Sequence, residues 1–114
     1  MRVLVCGGRG LDNQERVWQA LNELDGEGVI DVVIEGGASG ADALAFKWAT
    51  VHSRGTLTFN ADWSQGRKAG PLRNQKMLDD GKPDVVLALP GGPGTADMVR
   101  RARKANVKVI EVES

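Results

Sequence analysis

Three short apolar runs in this sequence each end in a cluster of glycines, and each cluster opens a helical pattern. Gly7-Gly8-Arg9-Gly10 follows Val3-Leu4-Val5-Cys6, Gly36-Gly37-Ala38-Ser39-Gly40 follows the run ending at Glu35, and Pro90-Gly91-Gly92-Pro93-Gly94-Thr95 follows the run ending at Leu89. Strand, tight turn and amphipathic helix in repetition are the mark of βαβ units, in which parallel strands are joined by right-handed crossovers. The spacing predicts five strands, at about Val3 to Cys6, Val29 to Glu35, Thr56 to Asn60, Asp84 to Leu89 and Val107 to Val112.

Four helices are predicted between them. Val17, Trp18, Leu21 and Leu24 share one stripe, as do Ala41, Leu44, Ala45 and Trp48, at the spacing of a face packed on a sheet. Both tryptophans are therefore expected in the core. The third helix is read from about Pro71 to Asp80 and the fourth from about Thr95 to Ala105. The result is a single α/β domain over residues 1–114, a Rossmann-like doubly wound parallel sheet in the order 3-2-1-4-5 with helices on both faces. Strands one and four meet at the topological switch point, where such sheets open a crevice for ligand.

Composition removes several classes of function. With 41% hydrophobic and 26% charged residues and no apolar stretch of membrane-spanning length, no membrane association is expected. The apolar run before the first glycines is shorter than the core of a signal peptide, so a cytoplasmic location is expected. A lone Cys6 and a single His52 offer no metal cluster, and neither a metal nor a cofactor is predicted. Formal net charge is zero and aromatics make up 4%, which argues against nucleic acid as a partner. The charge is nonetheless uneven: residues 1–62 carry 5 Lys/Arg against 9 Asp/Glu, and residues 63–114 carry 10 against 6. A local anion site in the second half is compatible with that distribution.

The glycine loops carry the chemistry. Without a Cβ, backbone N–H groups can approach a phosphate, and a helix N-terminus adds its dipole. The expected ligand contacts are Gly7, Gly8 and Arg9 in the first loop, Gly36, Gly37, Ala38 and Gly40 in the second with Asp42 behind it, and Pro90, Gly91, Gly92, Gly94 and Thr95 in the third. Neither the P-loop spacing nor the dinucleotide fingerprint is present. Arg73 and Asn74, after Gly70-Pro71, are candidates for phosphate countercharge and for a ribose or base contact; a solvated surface arginine is the alternative. Asp42 and Asp97 fall in first turns of helices, where a carboxylate is stabilised by the dipole without any further role. Trp63 either stacks on a base or covers the core.

These motifs, taken in order, resemble the SLOG superfamily of Rossmann-like nucleotide-ligand proteins, and within it the small YspA-type group. The resemblance runs through Val-Leu-Val-Cys-Gly-Gly-Arg, Gly36 to Asp42 with Ala45 and Trp48, Ala61-Asp62-Trp63, Arg73-Asn74 and Pro90-Gly91-Gly92 with Gly94-Thr95. It implies a nucleotide or nucleotide-derived ligand. The similarity to LOG-type phosphoribohydrolases, through Pro-Gly-Gly-x-Gly-Thr and Arg73 four residues before Met77, implies as an alternative cleavage of the N-glycosidic bond of a nucleoside monophosphate, with Arg73 and Asp97 as catalytic candidates. Met98 stands where those enzymes carry their catalytic glutamate, so binding is ranked ahead of catalysis. Gly36 to Phe46 is similar to a loop of DNA-processing proteins, with Phe46 in place of their histidine, and single-strand binding is ranked third. The likeness to LOG-type relatives also implies a homodimer.

Overall fold

A computed structural model describes residues 1–113. Its elements are β1 (Arg2–Cys6), α1 (Gln14–Glu27), β2 (Val32–Glu35), α2 (Ala41–Val51), β3 (Gly55–Thr58), a 3-10 segment (Trp63–Lys68), α3 (Ala69–Asp79), β4 (Val85–Ala88), α4 (Pro93–Lys104) and β5 (Lys108–Glu111). The five strands form one parallel sheet in the order β3-β2-β1-β4-β5. That is the doubly wound α/β arrangement the alternating pattern predicts. No helix among the described residues is long and apolar enough to cross a membrane.

The central strands are buried on both faces, which is why β1 and β4 read as continuous apolar runs. Alternate residues feed two cores. Val3, Val5, Val33 and Leu87 meet α1 and α2 around a fully buried Trp48. Leu4, Ile34, Val86 and Ala88 meet α3 and α4 around Met77 and Met98. The edge strand β3 is exposed throughout, so its side chains contribute little to either core.

Several boundaries differ from the sequence reading. β2 begins at Val32, with Val29 exposed, because Ile30 turns into the core while the backbone is still finishing the α1–β2 turn. α3 begins at Ala69 rather than Pro71, so Arg73 lies beyond its first turn. α4 begins at Pro93, a residue whose fixed φ and missing N–H suit the first turn. The 3-10 segment was not expected; Asp62 caps it by accepting from the Ser64 amide, and Gly66 breaks it at φ +73°. Trp18 is only partly buried, its indole N–H donating to the Leu44 carbonyl at 3.0 Å.

Candidate functional site

The three glycine loops meet at the β1–β4 switch point and are bonded to one another. The Gly8 amide donates to the Pro90 carbonyl at 2.8 Å, the Ala41 amide to the Gly8 carbonyl at 3.2 Å, and Ser39 Oγ to the Arg9 carbonyl at 3.0 Å. Two glycines are required by this contact. Gly40 sits at φ +73°, ψ −127°, a conformation closed to other residues, and a Cβ there would overlap the carbonyls of Gly8 and Arg9. A Cβ on Gly91 would overlap Thr95 Oγ1 and the Gly8 amide. Between the loops lies a cavity of about 310 Å³, walled by Gly8, Arg9, Asp42, Arg73, Asn74 and Thr95 among others.

The loops are not equivalent as donors. In the second, the Gly36 and Ala38 amides donate to Asp42 Oδ2 at 3.1 and 3.2 Å, and the Gly37 amide donates to Glu35 Oε1 at 2.8 Å. These three amides are thus satisfied by the chain's own carboxylates, and the cradle expected there is internal. In the third loop, the amides of Gly91, Gly92, Gly94 and Thr95 have no hydrogen-bond partner among the described residues. They lie in and just before the first turn of α4, where unpaired N–H groups collect.

Asp42 and Glu35 are both buried. Burial pushes the Asp42 carboxyl up to about 6, and the nearby Glu35 charge adds to this against the pull of the amides and Arg73. Asp42 lines the cavity, and its Oδ1 has no partner among the described residues. Glu35 went unremarked in the sequence, although an acid closing an apolar strand just before two glycines is itself a signal. Its other oxygen accepts from Thr58 Oγ1.

Arg73 is not a solvated surface side chain. Nη1 donates to the Gly36 carbonyl and Nε to Asn74 Oδ1 at 3.1 Å, leaving Nη2 without a partner among the described residues at the cavity wall. A Cβ on Gly36 would strike the guanidinium, so that glycine makes room for it. Burial lowers the Arg73 pKa, as does Arg9, while Asp42 and Glu35 oppose them.

Asn74 is 5% exposed and is used up internally: its Nδ2 donates to Asp97 Oδ2 at 3.0 Å and to the Gly94 carbonyl at 3.2 Å. Asp97 also receives Arg101 Nε at 2.8 Å and Arg100 Nη2. Burial alone would raise its carboxyl, but Asn74, Arg101 and Arg100 together hold it below the usual carboxylate range. Arg100 and Arg101 therefore anchor Asp97. Met98 is fully buried in the second core. Cys6 is buried as well, and desolvation pushes its thiol up to about 12. His52 caps α2 and stacks on Trp48 with ring centroids 4.4 Å apart. A larger recess of about 810 Å³ lies between α4 and β5, but its cations Arg100 and Arg103 are already paired, with Asp97 and Glu111.

Residues 1–66 match the YspA, cpYpsA-related SLOG family. The chain belongs to that family. It is 42% identical over 118 aligned residues to the Gene 61 protein of Mycobacterium phage D29, covering 96% of this chain and 94% of the phage protein. Among solved structures it is similar to DNA processing protein A from Helicobacter pylori, with a TM-score of 0.68 at 18% identity, over 97% of this chain and 64% of that one. That structure was described for its mode of binding single-stranded DNA.

This comparison corrects the expectation that nucleic acid is not a partner: a protein that contains a similar fold binds single-stranded DNA, so the exclusion does not stand. Whole-chain neutrality does not exclude a local cationic surface. Charge is local in its effect, and Arg9, Arg67 and Arg73 converge on one recess beside an exposed Trp63.

Proposed function

We propose that this SLOG domain binds a phosphorylated, nucleotide-derived small molecule at the β1–β4 crevice. The observation that carries the reading is the set of three unpartnered amides, at Gly92, Gly94 and Thr95, on residues lining a cavity into which Arg9 and Arg73 bring positive charge. An anion there gains hydrogen bonds from a helix N-terminus and a guanidinium whose free edge suits a phosphate. Asp42 Oδ1, an acceptor on the same wall, is placed to take a hydroxyl of the sugar.

Binding is preferred to hydrolysis. The position at which the phosphoribohydrolase resemblance needs a carboxylate is Met98, inside the core, and Asp97 is held charged by three donors. Arg73 and Asp97 are better read as positioning residues, Arg73 for the ligand and Asp97 for the first turn of α4. A second reading is single-stranded DNA, favoured by the exposed Trp63 and the neighbouring arginines.

Calorimetry with AMP, ADP-ribose, NAD and cyclic nucleotides tests the first reading, with Arg73→Ala alongside. At least one ligand is expected to bind and to weaken about tenfold or more in the variant, since charged hydrogen bonds contribute about 1.5–3 kcal/mol. Absence of binding by all of them, or indifference to the substitution, overturns it. Free base released from AMP would instead favour the hydrolase.

A further inference from the structure

The phosphate cradle does not account for Trp63. A tryptophan with no ligand duty is expected to bury its ring, yet Trp63 is 54% exposed at the start of the 3-10 segment. Its position is built rather than loose: Asp62 accepts from the Ser64 amide at 3.2 Å, from Ser64 Oγ at 2.5 Å and from Gln65 Nε2 at 3.2 Å, and the indole edge rests against Gly70 of α3. The Arg9 guanidinium lies over the ring, 5.1 Å from its centroid.

A second cavity, of about 350 Å³, opens between Trp63 and Arg73. It is continuous with the cradle, since Arg9, Arg73, Asn74, Pro93 and Gly94 line both. Arg67 stands in its wall, and the one acid there, Asp97, is already neutralised by Arg100 and Arg101. A flat aromatic face joined to a cationic recess suits a planar ring attached to an anion. It does not suit an apolar peptide, which would leave Arg9, Arg67 and Arg73 desolvated and unpaired.

We propose that the Trp63 recess is a base-stacking subsite, so that the ligand is a mononucleotide whose base lies on the Trp63 ring while its phosphate occupies the cradle. This rests on the phosphate reading above and adds the aromatic base as a requirement. Arg9 in the free protein covers the face that the base takes, and on binding it turns towards the phosphate. A cation over an exposed ring is a weak contact and is readily exchanged.

Ribose 5-phosphate, AMP and a short oligodeoxyadenylate are the probes, titrated into wild type, Trp63→Ala and Trp63→Phe by calorimetry. AMP is expected to bind wild type about tenfold or more tightly than ribose 5-phosphate, the margin of one base on an aromatic platform. Trp63→Ala should remove that margin and leave ribose 5-phosphate unchanged, while Trp63→Phe keeps most of it. Trp63 is half exposed and lies outside both cores, so both variants should remain folded at the temperature of the titration, which a thermal melt checks. Equal binding of AMP and ribose 5-phosphate by wild type, or an AMP affinity unmoved by Trp63→Ala, overturns the subsite and leaves the cradle standing. If neither compound binds wild type, cradle and subsite fall together. Binding of the oligomer that depends on Trp63, without binding of AMP, overturns the mononucleotide assignment in favour of a strand.

Discussion

Replacing Asp42 by asparagine should make the protein more stable at neutral pH and no more stable in acid. The carboxyl is raised from 3.8 to about 6 by burial and by Glu35, so its charged form costs the folded state about 3 kcal/mol. Because the folded state holds this proton more tightly than the unfolded chain, stability falls as pH rises from about 4 to 6, and the full cost is present above that window. The asparagine side chain has no charge to bury and keeps an oxygen for the Gly36 and Ala38 amides. The shift is already net of those two bonds, so the gain for Asp42→Asn is about 2–3 kcal/mol at pH 8 and near zero at pH 4. Urea unfolding of both proteins at pH 4, 6 and 8 measures it. A difference that is the same at pH 4 and 8, or a variant less stable at pH 8, refutes the reasoning. If Asp42 Oδ1 takes a ligand hydroxyl, the stabilised variant should also bind its nucleotide more weakly, a trade often found at binding sites.

Other substitutions probe the framework around the site. Gly40→Ala forces a Cβ into the Gly8 and Arg9 carbonyls at φ +73° and should cost about 2 kcal/mol or more in a denaturant melt, together with ligand affinity. Trp48→Ala empties the centre of the first core and should cost about 3–5 kcal/mol, read by the same melt. Cys6 should resist a thiol reagent at pH 8 in the native protein and react at once in urea, since its thiol is buried and raised to about 12. Asn74→Ala should loosen α3 from α4 by removing the bridge between Arg73 and Asp97, lowering the melting temperature as well as nucleotide affinity.

Fold and loop placement were legible because they rest on local signals. β-branched runs, glycine turns and helical stripes specify the strand order once right-handed crossovers are imposed. The donor arithmetic within the site was not legible. Glycine density marks the second loop as strongly as the third, yet Asp42 and Glu35 reach back to fill the former, and only three-dimensional proximity of β2, its loop and α2 brings those oxygens to the amides. Asn74 looked like a ligand contact because it follows Arg73; the pitch of α3 instead turns it onto Asp97 of α4. The 3-10 segment was missed because Trp63 to Lys68 has neither apolar periodicity nor a strong strand former, and its order comes from the Asp62 cap.

The bonds from Gly8 to Pro90 and from Ala41 to Gly8 fasten three turns into one rigid rim before anything arrives. A ligand then meets donors that need no ordering, so little of its binding free energy is lost in freezing backbone. Recognition at this rim should be fast and should leave the sheet and its turns where they were, with the only appreciable movement in the Arg9 side chain. Any message the protein passes on after binding must accordingly travel through the newly covered surface, and not through a shape change of the domain.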